Sequence, residues 1–222
     1  MGNFSLKFDK FWETFIKYNG YVKVLEGLKN TLTIAVLGLI IGIVIGTLIA
    51  TARVIPQYKV LPRILNKICS FYVALFRGTP IVVQLLVFYY VLLPLMGSRM
   101  TGIQVAVMVF GLNSAAYISE IMRGGIMSVD SGQMEAGRAV GLSFGTTMLK
   151  IVIPQAVKNI LPTMGNELIA LIKDTSVVSF VGATDLYVAF SFIGSSNYEF
   201  MVPYLVMAVI YIALVLLISL GI

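Results

Sequence analysis

Five stretches of the chain are apolar for long enough to cross the ~30 Å hydrocarbon core of a bilayer, which takes ~20 residues of helix. Leu32 to Ala52 has no charge at all, and Ile68 to Pro94 carries only Arg77. Gly102 to about Met122 has Glu120 near its end. The apolar region from Ile160 to Ile193 is interrupted by Glu167, Lys173, Asp174 and Asp185. It is too long and too broken for one straight helix and reads as a span followed by a short, partly inserted helix. Tyr204 to Leu220 closes the chain as the fifth span. Ahead of them, Phe4, Phe8, Phe11, Trp12 and Phe15 recur at helical spacing with Lys10, Glu13 and Lys17 between. That pattern predicts an amphipathic helix in the membrane interface, as a surface anchor or as a docking element. The expected fold is an all-α membrane protein, with an interfacial segment over 1–29 and a five-helix domain over 30–222.

Composition agrees and removes other classes. Of 222 residues, 59% are hydrophobic and 12% charged, against about 45–50% and 25% in soluble domains. The mean hydropathy is +0.95. With no histidine and a single cysteine, Cys69, the chain has no histidine triad, metal motif or intrachain disulfide. No catalytic constellation and no metal site is expected. No phosphate-binding G-x-x-x-x-G-K-[ST] loop occurs, so nucleotide is not bound that way. The net charge of +6 is assigned to Lys and Arg beside anionic lipid, not to nucleic acid. Lys7, Asp9, Lys10 and Glu13 interrupt any apolar run at the start, so a cleavable signal peptide is not expected.

Basic residues orient the spans. Arg53, Lys59, Arg63 and Lys67 fall in one connecting loop, and Arg123, Arg138, Lys150 and Lys158 in another. Five spans put both on the same side, whereas the alternate loops hold Arg99 and, between Phe190 and Val202, no base. The positive-inside rule makes the basic loops cytoplasmic, the N-terminus outside and the C-terminus inside. The lysines of the N-terminal tail (Lys7, Lys10, Lys17, Lys23, Lys29) argue the other way, but Asp9, Glu13 and Glu26 accompany them. In the first span Gly38, Gly42 and Gly46 form a ridge that admits a close helix partner, either within the subunit or across a dimer.

The cytoplasmic segment 130–158 reads DSGQMEAGRAVGLSFGTTMLKIVIPQAVK between its ends. Gln133 to Val140 suits a helix, Gly141 a stop, and Ser143 the cap of a second helix near Phe144. Ala136, Gly137, Ala139 and Gly141 are small enough to let a backbone seat closely in a groove. Met134, Val140, Leu142 and Phe144 supply an apolar face, and Glu135 and Arg138 can pair with each other or with a partner. Glu135, Ala136, Gly141, Ile151 and Pro154 resemble the EAA loop of ABC importer permeases; Gly137 and Ile153 replace its usual Ala and Leu. FRGTPIVVQL (Phe76–Leu85), NSAAYISEIMRGGIMSV (Asn113–Val129) and NELIALIKDTSVVSFVG (Asn166–Gly182) resemble the polar amino acid branch, of histidine, glutamine and arginine type.

The resemblance runs from Asn30 to Ile222 and implies the five-helix, MetI-like permease fold in a bacterial cytoplasmic (inner) membrane. It implies a transport subunit, not an enzyme, that works with a second permease subunit, identical or closely related. Separate ATPase subunits would carry ATP and Mg, with no cofactor on this chain, and an extracytoplasmic binding protein would deliver the amino acid. The loop would be a coupling helix, seating Gln133, Glu135, Ala136, Gly137, Arg138, Gly141, Leu142, Phe144 and Pro154 against the ATPase. Many relatives carry a basic helical tail after the last span; its absence here leads us to expect a trimmed C-terminus.

Ionisable groups in a span cost roughly 2.5–3.5 kcal/mol each on insertion scales, so they face a cavity or a partner. Arg77 precedes Gly78 and Pro80, and Pro80 deprives the Phe76 carbonyl of its helical donor and should kink the helix. Arg77 is read as structural, bonded to freed carbonyls or to an acid; Gln84, one turn on, is read as lining the pathway. Glu120 shares a helix face with Asn113 and Ala116 and is read as a local partner of Arg123, or else as a gate. Glu167 and Asp174 stack about 10 Å apart on a continuous helix, with Asn166 and Lys173 on the neighbouring face. These four with Thr175 and Ser176 offer acceptors for an ammonium and donors for a carboxylate; an internal ion pair of Lys173 with either acid is the equal alternative. Three acids against two bases in the spans lean toward arginine, lysine or histidine. The alternatives are the same architecture for glutamine, glutamate, methionine or a quaternary amine, and an ion-coupled secondary carrier.

Overall fold

The structure is a computed structural model that describes residues 4–221, and among them every regular element is helical. In chain order these are α1 (Phe4–Trp12), α2 (Gly20–Val54), α3 (Val60–Gly78), α4 (Ile81–Leu95) and α5 (Gly102–Met127). There follow α6 (Ser131–Ala139), α7 (Phe144–Val181), α8 (Leu186–Asn197) and α9 (Met201–Ser219). Helices α2, α5 and α9 are each long and apolar enough to cross a membrane, and the bent pairs α3–α4 and α7–α8 bring the total to five if each is one span. That count fits the five-span reading, with two spans broken.

The first span starts earlier than its apolar run. Helix α2 has 35 residues, about 52 Å at 1.5 Å each, and passes through positions 29 and 30 without interruption. It ends at Ile55, extended by the following Pro56. Its glycine ridge is used within the subunit. A Cβ on Gly38 would lie 3.1 Å from the Phe110 Cβ, and one on Gly46 2.9 Å from the Ile118 Cγ2. Gly111 of α5 in turn receives Ile41. Around this α2–α5 pair, Ile34, Leu85, Val105, Phe110 and Leu171 form the buried core.

The region 68–94 is not one kinked helix. Helices α3 and α4 meet at 106°. Pro80 has no N–H, and its ring drives Thr79 to an extended conformation (φ −120°, ψ 141°), so the helix stops and restarts. Pro94 and Pro154 leave their helices unbroken: each follows a widened five-residue turn, Phe88–Leu92 and Met148–Val152, that accommodates the missing donor. The interruption in 160–193 is found as a 58° bend between α7 and α8. Asp185 opens α8 by accepting the Tyr187 and Val188 N–H groups at 3.1 and 3.0 Å.

Helix α1 packs on its own chain. Phe11 is buried with Phe190 and Val202, Lys7 Nζ lies 3.2 Å from a Glu199 carboxylate oxygen, and Asn197 Nδ2 donates to the Lys10 carbonyl and Thr14 Oγ1. Phe4, Phe8 and Trp12 stay exposed on the other side.

Candidate functional site

A cavity of about 540 Å³ opens where the α3–α4 break faces α5 and α7. Its walls are the break itself (Arg77 to Ile81), Asn113 and Tyr117 of α5, and Glu167, Ala170, Leu171 and Asp174 of α7. The break is stabilised by side chains. The Phe76 carbonyl, orphaned by Pro80, accepts Gln84 Nε2 at 2.8 Å and Asn113 Nδ2 at 3.4 Å. Gln84 Nε2 also donates to the Thr79 carbonyl and hydroxyl at 3.0 and 2.9 Å, and its Oε1 accepts from Asn113 Nδ2 at 3.0 Å. Two amides thus replace the backbone donor that proline lacks, and they fix the wall of the cavity.

The two acids of α7 stand on the cavity face, as their spacing predicted, because the helix is continuous through Asp174. Glu167 Oε1 accepts a 2.9 Å hydrogen bond from Ser114 Oγ. Across from them the Arg77 guanidinium lies over the Tyr117 ring, 5.3 Å from its centroid, and 3.9 Å from Glu120 Oε2. Glu120 itself is held by Arg53 at its other oxygen and by Arg123, whose Nη2 is 2.9 Å from Oε2. One carboxylate therefore meets three guanidinium groups from α2, α3 and α5. The arrangement can offer two acids to a cation and a positive edge to an anion within one polar chamber.

The other residues singled out in the sequence fall elsewhere. Gln84 is buried and holds the break, outside the cavity wall. Asn166 and Lys173 are exposed on the adjoining face of α7, one residue round from the acids. Among the described residues no ion pair joins Lys173 to Glu167 or Asp174. Thr175 is buried and donates back to the Ile172 carbonyl at 2.7 Å, and Ser176 is half-buried beside it. Gly78 lines the cavity with nothing within 4 Å of a built Cβ. Tyr117 and Ser114 were missed by sequence reasoning. Their signal lay in NSAAYISE, where Tyr117 follows Asn113 by one turn and so shares its face.

In the 130–158 segment α6 is capped by Asp130, whose Oδ1 accepts from Gly132 N at 2.8 Å. Gly141, at φ +85°, ends it in the left-handed region that favours glycine. Ser143 Oγ caps the start of α7 by accepting from Thr146 N at 3.2 Å. Gly137 does not face outward: a Cβ there would come within 2.9 Å of Thr147 Oγ1, so α6 lies tight on the first turn of α7. Gln133, Glu135, Ala136, Arg138, Val140, Gly141 and Pro154 are exposed, and Leu142 and Phe144 half-buried. Glu135 and Arg138 form no ion pair; Arg138 Nη1 instead reaches the Leu142 carbonyl at 3.5 Å. Gln155 Nε2 ties the two helices by donating to Gln133 Oε1 at 3.3 Å.

Residues 38–222 match the family described as binding-protein-dependent transport system inner membrane component. The arginine transport system permease protein ArtQ of Bacillus subtilis (strain 168) is 38% identical over 196 residues, 88% of this chain and 87% of that protein. A putative glutamine transport system permease protein GlnP of Rickettsia bellii (strain RML369-C) is 38% identical over 209 residues, 94% of each. Among solved structures, an amino acid ABC transporter crystallised with histidines superposes with a TM-score of 0.83 at 35% identity, covering 93% of this chain and 92% of that one. The inward-facing MetNI methionine ABC transporter, at 21% identity and a TM-score of 0.74, shares the fold.

Proposed function

The chain belongs to the binding-protein-dependent transport system inner membrane component family, a transport subunit and not an enzyme, and from that premise we propose that it carries a basic amino acid through the cavity at the α3–α4 break. One observation carries the reading: Glu167 and Asp174 face the same chamber as Arg77. A basic amino acid bears two positive groups and one carboxylate, and the chamber holds two acids and one available guanidinium. Asn113 and Tyr117 supply neutral polar groups on the wall between them. Asn166, Lys173, Thr175 and Ser176 then serve the helix end and its surroundings, not the substrate.

The exposed surface of α6 and the turn that follows it seats against a separate ATPase subunit. Gln133, Glu135, Ala136, Arg138 and Gly141 form the docking face, joined by Pro154 of α7 and backed by Leu142 and Phe144. Gly137 gives α6 its rigid seat on Thr147, so that a push on α6 moves α7 and with it both acids. ATP and Mg stay on the ATPase. The basic loops, and so α6, face the cytoplasm with the N-terminus outside. A second permease subunit completes the translocation path, and an extracytoplasmic binding protein delivers the substrate.

The test is uptake into proteoliposomes holding this chain, its ATPase and its binding protein. Arginine should accumulate only with ATP, and lysine should compete better than glutamine. Preference for glutamine over arginine overturns the basic reading. Accumulation without the ATPase overturns the transport mechanism itself.

A further inference from the structure

Ser114 is wholly buried between α2 and α7, and its hydroxyl behaves unlike most helical hydroxyls in this chain. Thr47, Thr51, Ser195 and Ser196 each donate back to the carbonyl four residues earlier, at 2.6–2.8 Å. That is the ordinary resting place of such a group in an apolar helix. A hydroxyl has one proton to give, and Ser114 gives it across the helix interface to Glu167 Oε1. On the other side of Ser114 stands Gly42: a Cβ there would lie 2.7 Å from Ser114 Oγ and 2.8 Å from its Cβ. Only glycine lets the α2 backbone approach so closely, and that approach confines the serine.

We propose that Ser114 is a positioning residue that aims the Glu167 carboxylate into the cavity, and that Gly42 holds Ser114 in the rotamer that does so. The inference rests on the reading of Glu167 as a partner of the substrate cation. A carboxylate on a flexible side chain has several rotamers; the hydrogen bond to Oε1 selects one and leaves Oε2 without a protein partner among the described residues. The glycine ridge of the first span thereby gains a role beyond packing: at its middle position it sets the geometry of a binding group on a third helix.

The experiment measures equilibrium binding of labelled arginine and glutamine to the permease–ATPase complex in nanodiscs, without binding protein. Ser114→Ala should raise the arginine Kd by roughly tenfold, the value of one charge-assisted hydrogen bond, with a smaller change for glutamine. Ser114→Thr, which keeps the hydroxyl, should recover part of the loss. Gly42→Ala should reproduce the Ser114→Ala defect, and combining the two should add little. In a Glu167→Gln background, Ser114→Ala should have no further effect on arginine binding. Full additivity with Glu167→Gln, or equal loss for arginine and glutamine, overturns the positioning role. If Glu167→Gln itself leaves the arginine Kd unchanged, the reading of Glu167 fails first; if it raises the Kd and Ser114→Ala does not, only the positioning role fails. Melting temperatures within a few degrees of wild type for Ser114→Ala make either outcome interpretable should Gly42→Ala not assemble.

Discussion

Replacing Gln84 with leucine removes the amide that closes the α3–α4 break while keeping nearly the same volume. Three acceptors lose Nε2: the Phe76 carbonyl, the Thr79 carbonyl and the Thr79 hydroxyl. Phe76 retains Asn113 at a long 3.4 Å, whereas the Thr79 carbonyl has no other side-chain donor among the described residues, and Asn113 Nδ2 loses its 3.0 Å acceptor. The Thr79 hydroxyl can fall back on its bond to the Leu75 carbonyl at 2.8 Å. Two groups are thus left poorly satisfied, at about 1–3 kcal/mol each. Burying leucine in place of an amide offsets part of that, so a net loss of about 2–3 kcal/mol is expected. At roughly 2–4 °C per kcal/mol for a chain of this length, the melting temperature should fall by about 4–12 °C. The assay is thermal unfolding of the assembled complex in nanodiscs, followed by arginine binding below the transition. Loss of both stability and binding is expected, because the break is a wall of the cavity. A Gln84→Leu protein that melts and binds as wild type refutes the claim that side-chain amides hold the break.

Glu120→Gln leaves Arg53, Arg77 and Arg123 facing one another without a full counter-charge. It should destabilise the complex by about 1–3 kcal/mol, the cost of leaving partly buried charged groups without their acceptor, whereas Arg77→Ala, which removes the longest of the three Glu120 pairings and the one with the most exposed arginine, should change the melting point little and impair arginine binding. A Cβ at Gly141 would meet nothing within 4 Å, so the cost of Gly141→Val lies in the backbone, where φ +85° imposes a left-handed strain of at least about 1–2 kcal/mol. Membrane insertion should be retained and ATP-driven uptake strongly reduced; unchanged uptake would remove α6 and its turn from the coupling path.

Much of the architecture is legible because the bilayer imposes it: runs of apolar residues mark helices, and Gly38, Gly42 and Gly46 mark where one of them meets another. Pro80 announced a disturbance but not its size, since the 106° turn depends on Gln84 and Asn113 taking the Phe76 carbonyl, and those donors come from another turn and another helix. The same limit applies to the cavity. The seven-residue spacing of Glu167 and Asp174 placed them on one face, but no local pattern says which side of α7 faces the break, so Asn166 and Lys173 were grouped with them. Ser114 and Tyr117 read as ordinary helix residues until α5 is set against α7 and α3. The seating of α1 is less visible still, because Lys7 and Glu199 lie at opposite ends of the chain. In the cytoplasmic segment Gly137 looked like an outward-facing small residue, but its contact is with Thr147, ten residues on.

The central claim is that the chamber beside the α3–α4 break receives the transported amino acid. Ala170 lies on its wall and Leu149 is exposed outside it, so each can be replaced with cysteine in a Cys69→Ala background and labelled with a small thiol reagent in the assembled complex. Saturating arginine should slow labelling of the Ala170→Cys protein several-fold and leave that of the Leu149→Cys protein unchanged. Equal labelling rates at position 170 with and without arginine, in a complex that still transports it, would contradict the account.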